Sequence, residues 1–187
     1  MCKCCRPWRI VESAVLGPGL EAEAAQARAR QIIVGQAVSN KAPDNGNLVP
    51  IVEQVKNNCG RAPDKTTADA GYWTPEAPEA CEQLGADVYI STRRKHGDQD
   101  DVVPNGPVPE DADTRERMRR KLNSKEGRDT YARRKAVVEP VFGQIKEARG
   151  FRRFLLRGQK AVQAEWAMVC MGHNLLKLFR FPSLHAA

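Results

Sequence analysis

Two carboxylates stand out by their neighbours. Asp69 follows Lys65, Thr66, Thr67 and Ala68, a run that reads as a short strand, and it stands just before Gly71. Open α/β sheets place their chemistry at the carboxyl ends of strands, although an aspartate before a glycine is also an ordinary turn former. Glu139 lies in YARRKAVVEPVFGQIKEARGF (residues 131–151), with Val137 and Val138 before it and Pro140 directly after. At ~100° per residue, Tyr131, Lys135, Glu139, Phe142 and Lys146 fall within an arc of roughly 80°, and Val137, Val138, Val141, Ile145 and Ala148 fill the adjoining arc. Glu139 is therefore expected at the margin of a core-facing side, flanked by cations, with Pro140 on the opposite side. Glutamate–lysine pairs at helical spacing explain the lysines. They explain neither a proline in a helix interior nor the valines around the carboxylate.

Other chemistry-bearing residues are weaker candidates. Cys2, Cys4 and Cys5 have no second Cys/His pair at zinc spacing, so this start reads as unstructured. Arg93, Arg94, Lys95 and His96 leave the end of a strand-like run and could touch phosphate or form a solvated charge run. His173 shares a helical stripe with Val162, Trp166, Val169 and Leu176, which reads as a core histidine. Trp73 and Trp166 read as core or site-wall residues, and the isolated Cys59, Cys81 and Cys170 as buried thiols.

The chain of 187 residues suits one domain with room for an extension. No apolar run approaches the ~18 residues of a membrane span, and the first residues lack the apolar region of a secretory signal. The six cysteines do not form a disulfide framework, which points to a reducing, cytoplasmic compartment. Charge is unevenly spread. Residues 1–114 carry 12 Lys/Arg against 17 Asp/Glu, whereas residues 115–187 carry 18 against 6. So basic a second part suggests a polyanion partner, most simply nucleic acid, or else a solvated helical surface rich in arginine.

These residues need elements to position them. Residues 1–20 show no clean period, and 21–30 read as a short alanine-rich helix or an irregular lead-in. Residues 31–39 read as a buried strand and 48–58 as a helix with Pro50 in its first turn. A strand at 65–71 runs into a tight turn. A helix at 74–85 follows, with Thr74 as N-cap and Pro75 at the first position, and then a strand at 86–92. The proline-rich stretch 93–112 reads as a loop, 113–148 as helical with a break near Asn123 and Ser124, and 159–179 as a last helix. Strands alternating with helices, then helices alone, make an α/β pattern.

The segments ADAGYWT, DVYIST, KLNSKEGRDTYARRKAVVEPVFGQIKEARGFRRFLLRG and EWAMVCMGHNLLKL resemble the C-terminal part of insertion-sequence transposases of the DDE type. The resemblance covers about residues 31–180 and implies an RNase H-like fold, here an incomplete mixed sheet flanked by helices with a basic helical C-terminal part. Residues 1–30 are then a poorly ordered or unrelated segment and 181–187 a tail. It implies that Asp69 and Glu139 are the second and third catalytic carboxylates and metal ligands. Tyr131, Glu139 and Lys146 match the family's tyrosine–arginine–glutamate–lysine signature. Its arginine is shared between Arg134, which stands one place too far from Glu139, and Lys135, which has the right spacing. These cations, with Arg93 and Lys95, would hold DNA.

In the family, two divalent ions clamp an in-line phosphoryl transfer, and hard Mg²⁺ or Mn²⁺ suits carboxylate oxygens. A first carboxylate is also implied, on the first strand. No aspartate precedes Asp44, which falls in a turn, and Glu12, Glu21 and Glu23 lie in segments that do not read as a central strand. The chain is accordingly expected to be a truncated or decayed transposase, associated with the nucleoid, that binds metal weakly and is catalytically incomplete alone. A functional form would act as a homodimer on paired DNA ends, with no membrane or small-molecule substrate. The competing reading is a non-catalytic basic DNA-binding or interaction fragment that retains the fold.

Overall fold

A computed structural model describes residues 9–16 (backbone only), 31–40, 44–92 and 108–180. The expectations for Cys2, Cys4, Cys5, Arg93, Arg94, Lys95 and His96, and for residues 21–30, lie outside the described residues. In chain order the elements are β1 (Arg9–Leu16), β2 (Ile32–Ser39), α1 (Leu48–Cys59), β3 (Lys65–Ala68), a 3₁₀ turn (Ala70–Tyr72), α2 (Ala77–Gln83), β4 (Asp87–Ile90), α3 (Thr114–Asn123), α4 (Lys125–Gly143), a π turn (Gln144–Ala148) and α5 (Gln159–Phe179). This is the mixed α/β class expected of an incomplete RNase H-like fold. Its described strands form two ladders, β1 antiparallel to β2 and β3 parallel to β4. Among the described residues, no helix is long and apolar enough to cross a membrane.

The chain divides into two compact units, residues 43–134 and residues 1–42 with 135–187. In the unit 43–134, α1 buries Leu48, Ile51, Val52 and Val55, the stripe its 3.6-residue period requires, and Gly60 ends it at φ 74°. The β3–α2–β4 segment is a compact parallel crossover. Cys81 of α2 and Val88, Tyr89 and Ile90 of β4 are buried. Helix α2 is shorter than the sequence suggests. Thr74 does accept Ala77 N–H through its hydroxyl (3.2 Å), but it closes the turn before the helix, and Glu76 is the N-cap. Helix α3 starts on Asp113, whose carboxylate accepts Glu116 N–H at 2.6 Å. Its Met118 is buried beside β4 and accepts Ile90 N–H through sulfur at 3.5 Å.

In the other unit, β2 buries Ile33 and Val38 and packs against α5. The core joins these two to Val141 and Ile145 of the α4–π segment and to Val162, Trp166 and Cys170 of α5. Phe142, Phe151 and Phe154 gather round Trp166 with ring centroids 6.0–6.4 Å from it. The Glu165 carboxylate accepts Leu155 N–H (2.9 Å) and Leu156 N–H (2.9 Å), which ties the connector to α5. Strand β1 was not legible as one, and it contains Glu12, whose segment did not read as a strand. Its pairing with β2 carries two register shifts, between Val11 and Ala14 and between Ala14 and Val15, and such shifts break the alternation by which a strand is read.

Candidate functional site

Asp69 is the residue that turns the chain out of β3. Its backbone is extended (φ −80°, ψ 177°), and its Oδ1 accepts Gly71 N–H at 2.8 Å, capping the 3₁₀ turn. The carboxylate is half-buried at the carboxyl end of a parallel strand pair, the position the α/β rule singles out. The same geometry is a complete turn-forming aspartate. A second carboxylate shares the place. A Cβ built on Gly71 would lie 3.0 Å from Asp69 Oδ1 and 3.7 Å from Asp44 Oδ2, so both acids face the space that glycine leaves open. The sequence puts Asp44 in a turn, and it is there; nothing in the local pattern shows that the turn returns beside β3.

Glu139 lies in the other unit, on α4, and its side chain is exposed. The apolar arc expected beside it is only partly buried. Val141 and Ile145 are inside, Val137 and Val138 are half-buried, and Ala148 is exposed. Pro140 is exposed and does not end the helix, which runs on to Gly143 and then loosens into the π turn. A proline leaves the carbonyl four residues earlier without its N–H, here that of Ala136. Gln31 supplies the missing donor: its Nε2 donates to Ala136 O (3.2 Å) and Val137 O (3.1 Å). Gln31 is 2% exposed, and the sequence gives no hint of this role.

Of the expected DNA-facing residues, Tyr131 and Arg134 are brought together, with the guanidinium carbon 5.6 Å from the ring centroid. Lys135 is exposed, and Lys146 lies 5.4 Å from the Phe142 ring centroid. His173 is a core histidine. It is fully buried, with Nε2 2.8 Å from Gln31 O. Burial pushes its pKa below the usual imidazole range against that hydrogen bond, and Arg149 and Lys177 add to the lowering. Cys81 and Cys170 are buried as expected, and burial followed by the Glu82 charge pushes the Cys81 thiol up to about 11. Cys59 is a correction. It is the last residue of α1, off the buried stripe, and is exposed.

Residues 92–179 match the family model described as a transposase DDE domain. This match supports a DDE-type transposase domain over those residues and a function of the transposase type, a family that implies interaction with DNA. The comparisons with curated proteins and with solved structures gave no match. Divalent metal is typical of the family, and the donors at the end of β3 suit it in kind, since Asp44 and Asp69 offer hard oxygens facing one space. They do not suit it in number. Among the described residues no three His, Cys, Asp or Glu side chains group closely enough to hold an ion, which falls short of a two-ion centre.

Proposed function

We propose that this chain is a DNA-engaging transposase domain in which Asp69 and Glu139 hold the family's second and third carboxylate positions. Tyr131, Arg134, Lys135 and Lys146, with Arg93 and Lys95, lie along the DNA backbone. Mg²⁺ or Mn²⁺ is held weakly, and strand cleavage and transfer are incomplete in this chain alone. A complete form works as a homodimer on paired DNA ends in the nucleoid. The observation that carries the reading is Asp69 at the carboxyl end of a parallel strand, in a chain whose residues 92–179 match the family. A second reading, a non-catalytic basic DNA-binding fragment, is favoured by the lack of a three-donor group among the described residues.

Both readings require DNA binding dominated by phosphate contacts, and a labelled duplex titrated at several salt concentrations tests it. Residues 115–187 carry 18 Lys/Arg against 6 Asp/Glu, so affinity falls steeply with salt as counterions are released, with little sequence preference. Affinity absent at low salt, or flat across the series, would sink both.

A further inference from the structure

The unit 43–134 contains a cavity of about 280 Å³ between the end of β4, the last turns of α3 and the first turns of α4. Its polar wall is Ser91, Thr92, Arg119, Asn123, Arg128 and Tyr131. Among the described residues that line it, none is acidic. Two arginines, permanently charged, thus line one space together with Ser91, Thr92, Asn123 and Tyr131. That donor set fits an oxyanion, and planar guanidinium matches phosphate oxygens in pairs. At ~30 Å³ per water, the space is several times what a bare phosphate group displaces, so it admits a phosphate with part of what is attached to it.

The location adds direction. Ser91 N–H donates to Ala68 O at 3.1 Å, and Ala68 immediately precedes Asp69. A residue that lines the cavity is thus tied to the strand end that carries Asp69. Its walls are fixed by the α3–α4 bend, where the Ser124 hydroxyl accepts Gly127 N–H (2.9 Å) and donates to Lys121 O (2.7 Å). Arg115 bonds Thr92 O at 3.2 Å, which holds the floor.

We infer that this cavity is a phosphate subsite that seats one backbone phosphodiester of a DNA strand running along the β3 and β4 ends past Asp69. The inference rests on the DNA reading above. The same chemistry would accept free phosphate, so the experiment carries an arm for each source. The first arm measures anisotropy of a labelled duplex and of its single strand for the unmodified chain, for Arg119→Gln with Arg128→Gln, and for Arg133→Gln with Arg157→Gln. The last pair is exposed and outside the cavity, and it removes the same charge. The cavity pair is expected to weaken binding about tenfold or more and to reduce the salt slope by about 2, the control pair by clearly less. Equal losses in both pairs overturn the subsite, because net charge alone then explains them. Arg128→Gln alone, at an exposed position, repeats the comparison should the double variant fold poorly.

The second arm titrates inorganic phosphate against the amide resonances of Thr92 and Arg128. Shifts in the unmodified chain that vanish in the cavity variant, together with the loss of DNA affinity, support the phosphodiester assignment. Shifts without any DNA binding overturn that assignment in favour of a free anion and strike the DNA reading separately. Neither signal overturns the site.

Discussion

Pro140 removes an amide from α4, and Gln31 restores a donor from outside the helix. The same side chain accepts Lys177 Nζ at 3.1 Å through Oε1, and its backbone carbonyl meets His173. One buried residue therefore joins the start of β2 to α4 and α5. Gln31→Leu keeps much of the bulk but leaves the Ala136 carbonyl without a donor and Lys177 without its acceptor. It should destabilise the fold by about 2–3 kcal/mol in urea unfolding. Pro140→Ala gives Ala136 its own helical partner back, so the Gln31→Leu penalty should shrink in that background by more than ~0.5 kcal/mol. Strict additivity of the two substitutions would show that Gln31 does not answer the proline. None of this was legible. The sequence shows Pro140 as an anomaly beside Glu139, but the residue that accommodates it lies 105 positions away from Ala136. Asp69 was legible, because a strand followed by a turn is a local pattern. Its neighbour Asp44 was not, because only the tertiary path brings that turn back.

Between elements, the α3–α4 bend leaves no room for a side chain at Gly127. A break near Asn123 and Ser124 could be read from the sequence, and Ser124 is where α3 ends and α4 begins. The tightness of the bend could not be read, because Gly127 gives no local sign of what it faces. A Cβ on Gly127 would sit 2.0 Å from Lys121 O and 2.9 Å from Leu122 Cα, both backbone atoms with little freedom to move. Alanine in a helix normally stabilises by about 1 kcal/mol over glycine. At Gly127 the sign should reverse, with a loss of about 1–3 kcal/mol or more from forced displacement of the bend. Gly172, inside α5, has nothing within 4 Å of such a Cβ. Gly172→Ala should therefore raise the midpoint while Gly127→Ala lowers it. A stabilised Gly127→Ala would mean that the bend can open to admit a methyl group. Since Asn123 and Arg128 line the cavity from either side of this bend, loss of DNA affinity should accompany the loss of stability. Helices α1 and α5 were read nearly to the residue, because both have a full apolar stripe and α1 a glycine stop. Strand β1 was not, because register shifts erase its period.

At the scale of the whole molecule, charge and carboxylates give different answers. The basic C-terminal part supplies abundant cations for phosphate, but the acids are sparse. Asp69 has Asp44 for company, and no three potential ligands group together among the described residues. The α/β class could be read from alternating strands and helices, because each element has its own period. The assembly of a catalytic centre could not, because it depends on how distant segments meet. From this imbalance we expect DNA binding without chemistry. Losing one group that stabilises developing charge commonly slows an enzyme by ~10²–10³, and an incomplete set of metal-holding carboxylates should cost at least that. In a nicking assay with Mg²⁺ or Mn²⁺ on DNA carrying the element's ends, the chain alone should give no more product than an Asp69→Ala, Glu139→Ala double variant. Both should bind the duplex with comparable salt dependence, because the substitutions remove acids and leave the cations in place. Robust cleavage by the unmodified chain, lost in the double variant, would overturn this expectation. Asp44→Asn would then be the first variant to assay, because Asp44 is the acid that faces the same space as Asp69.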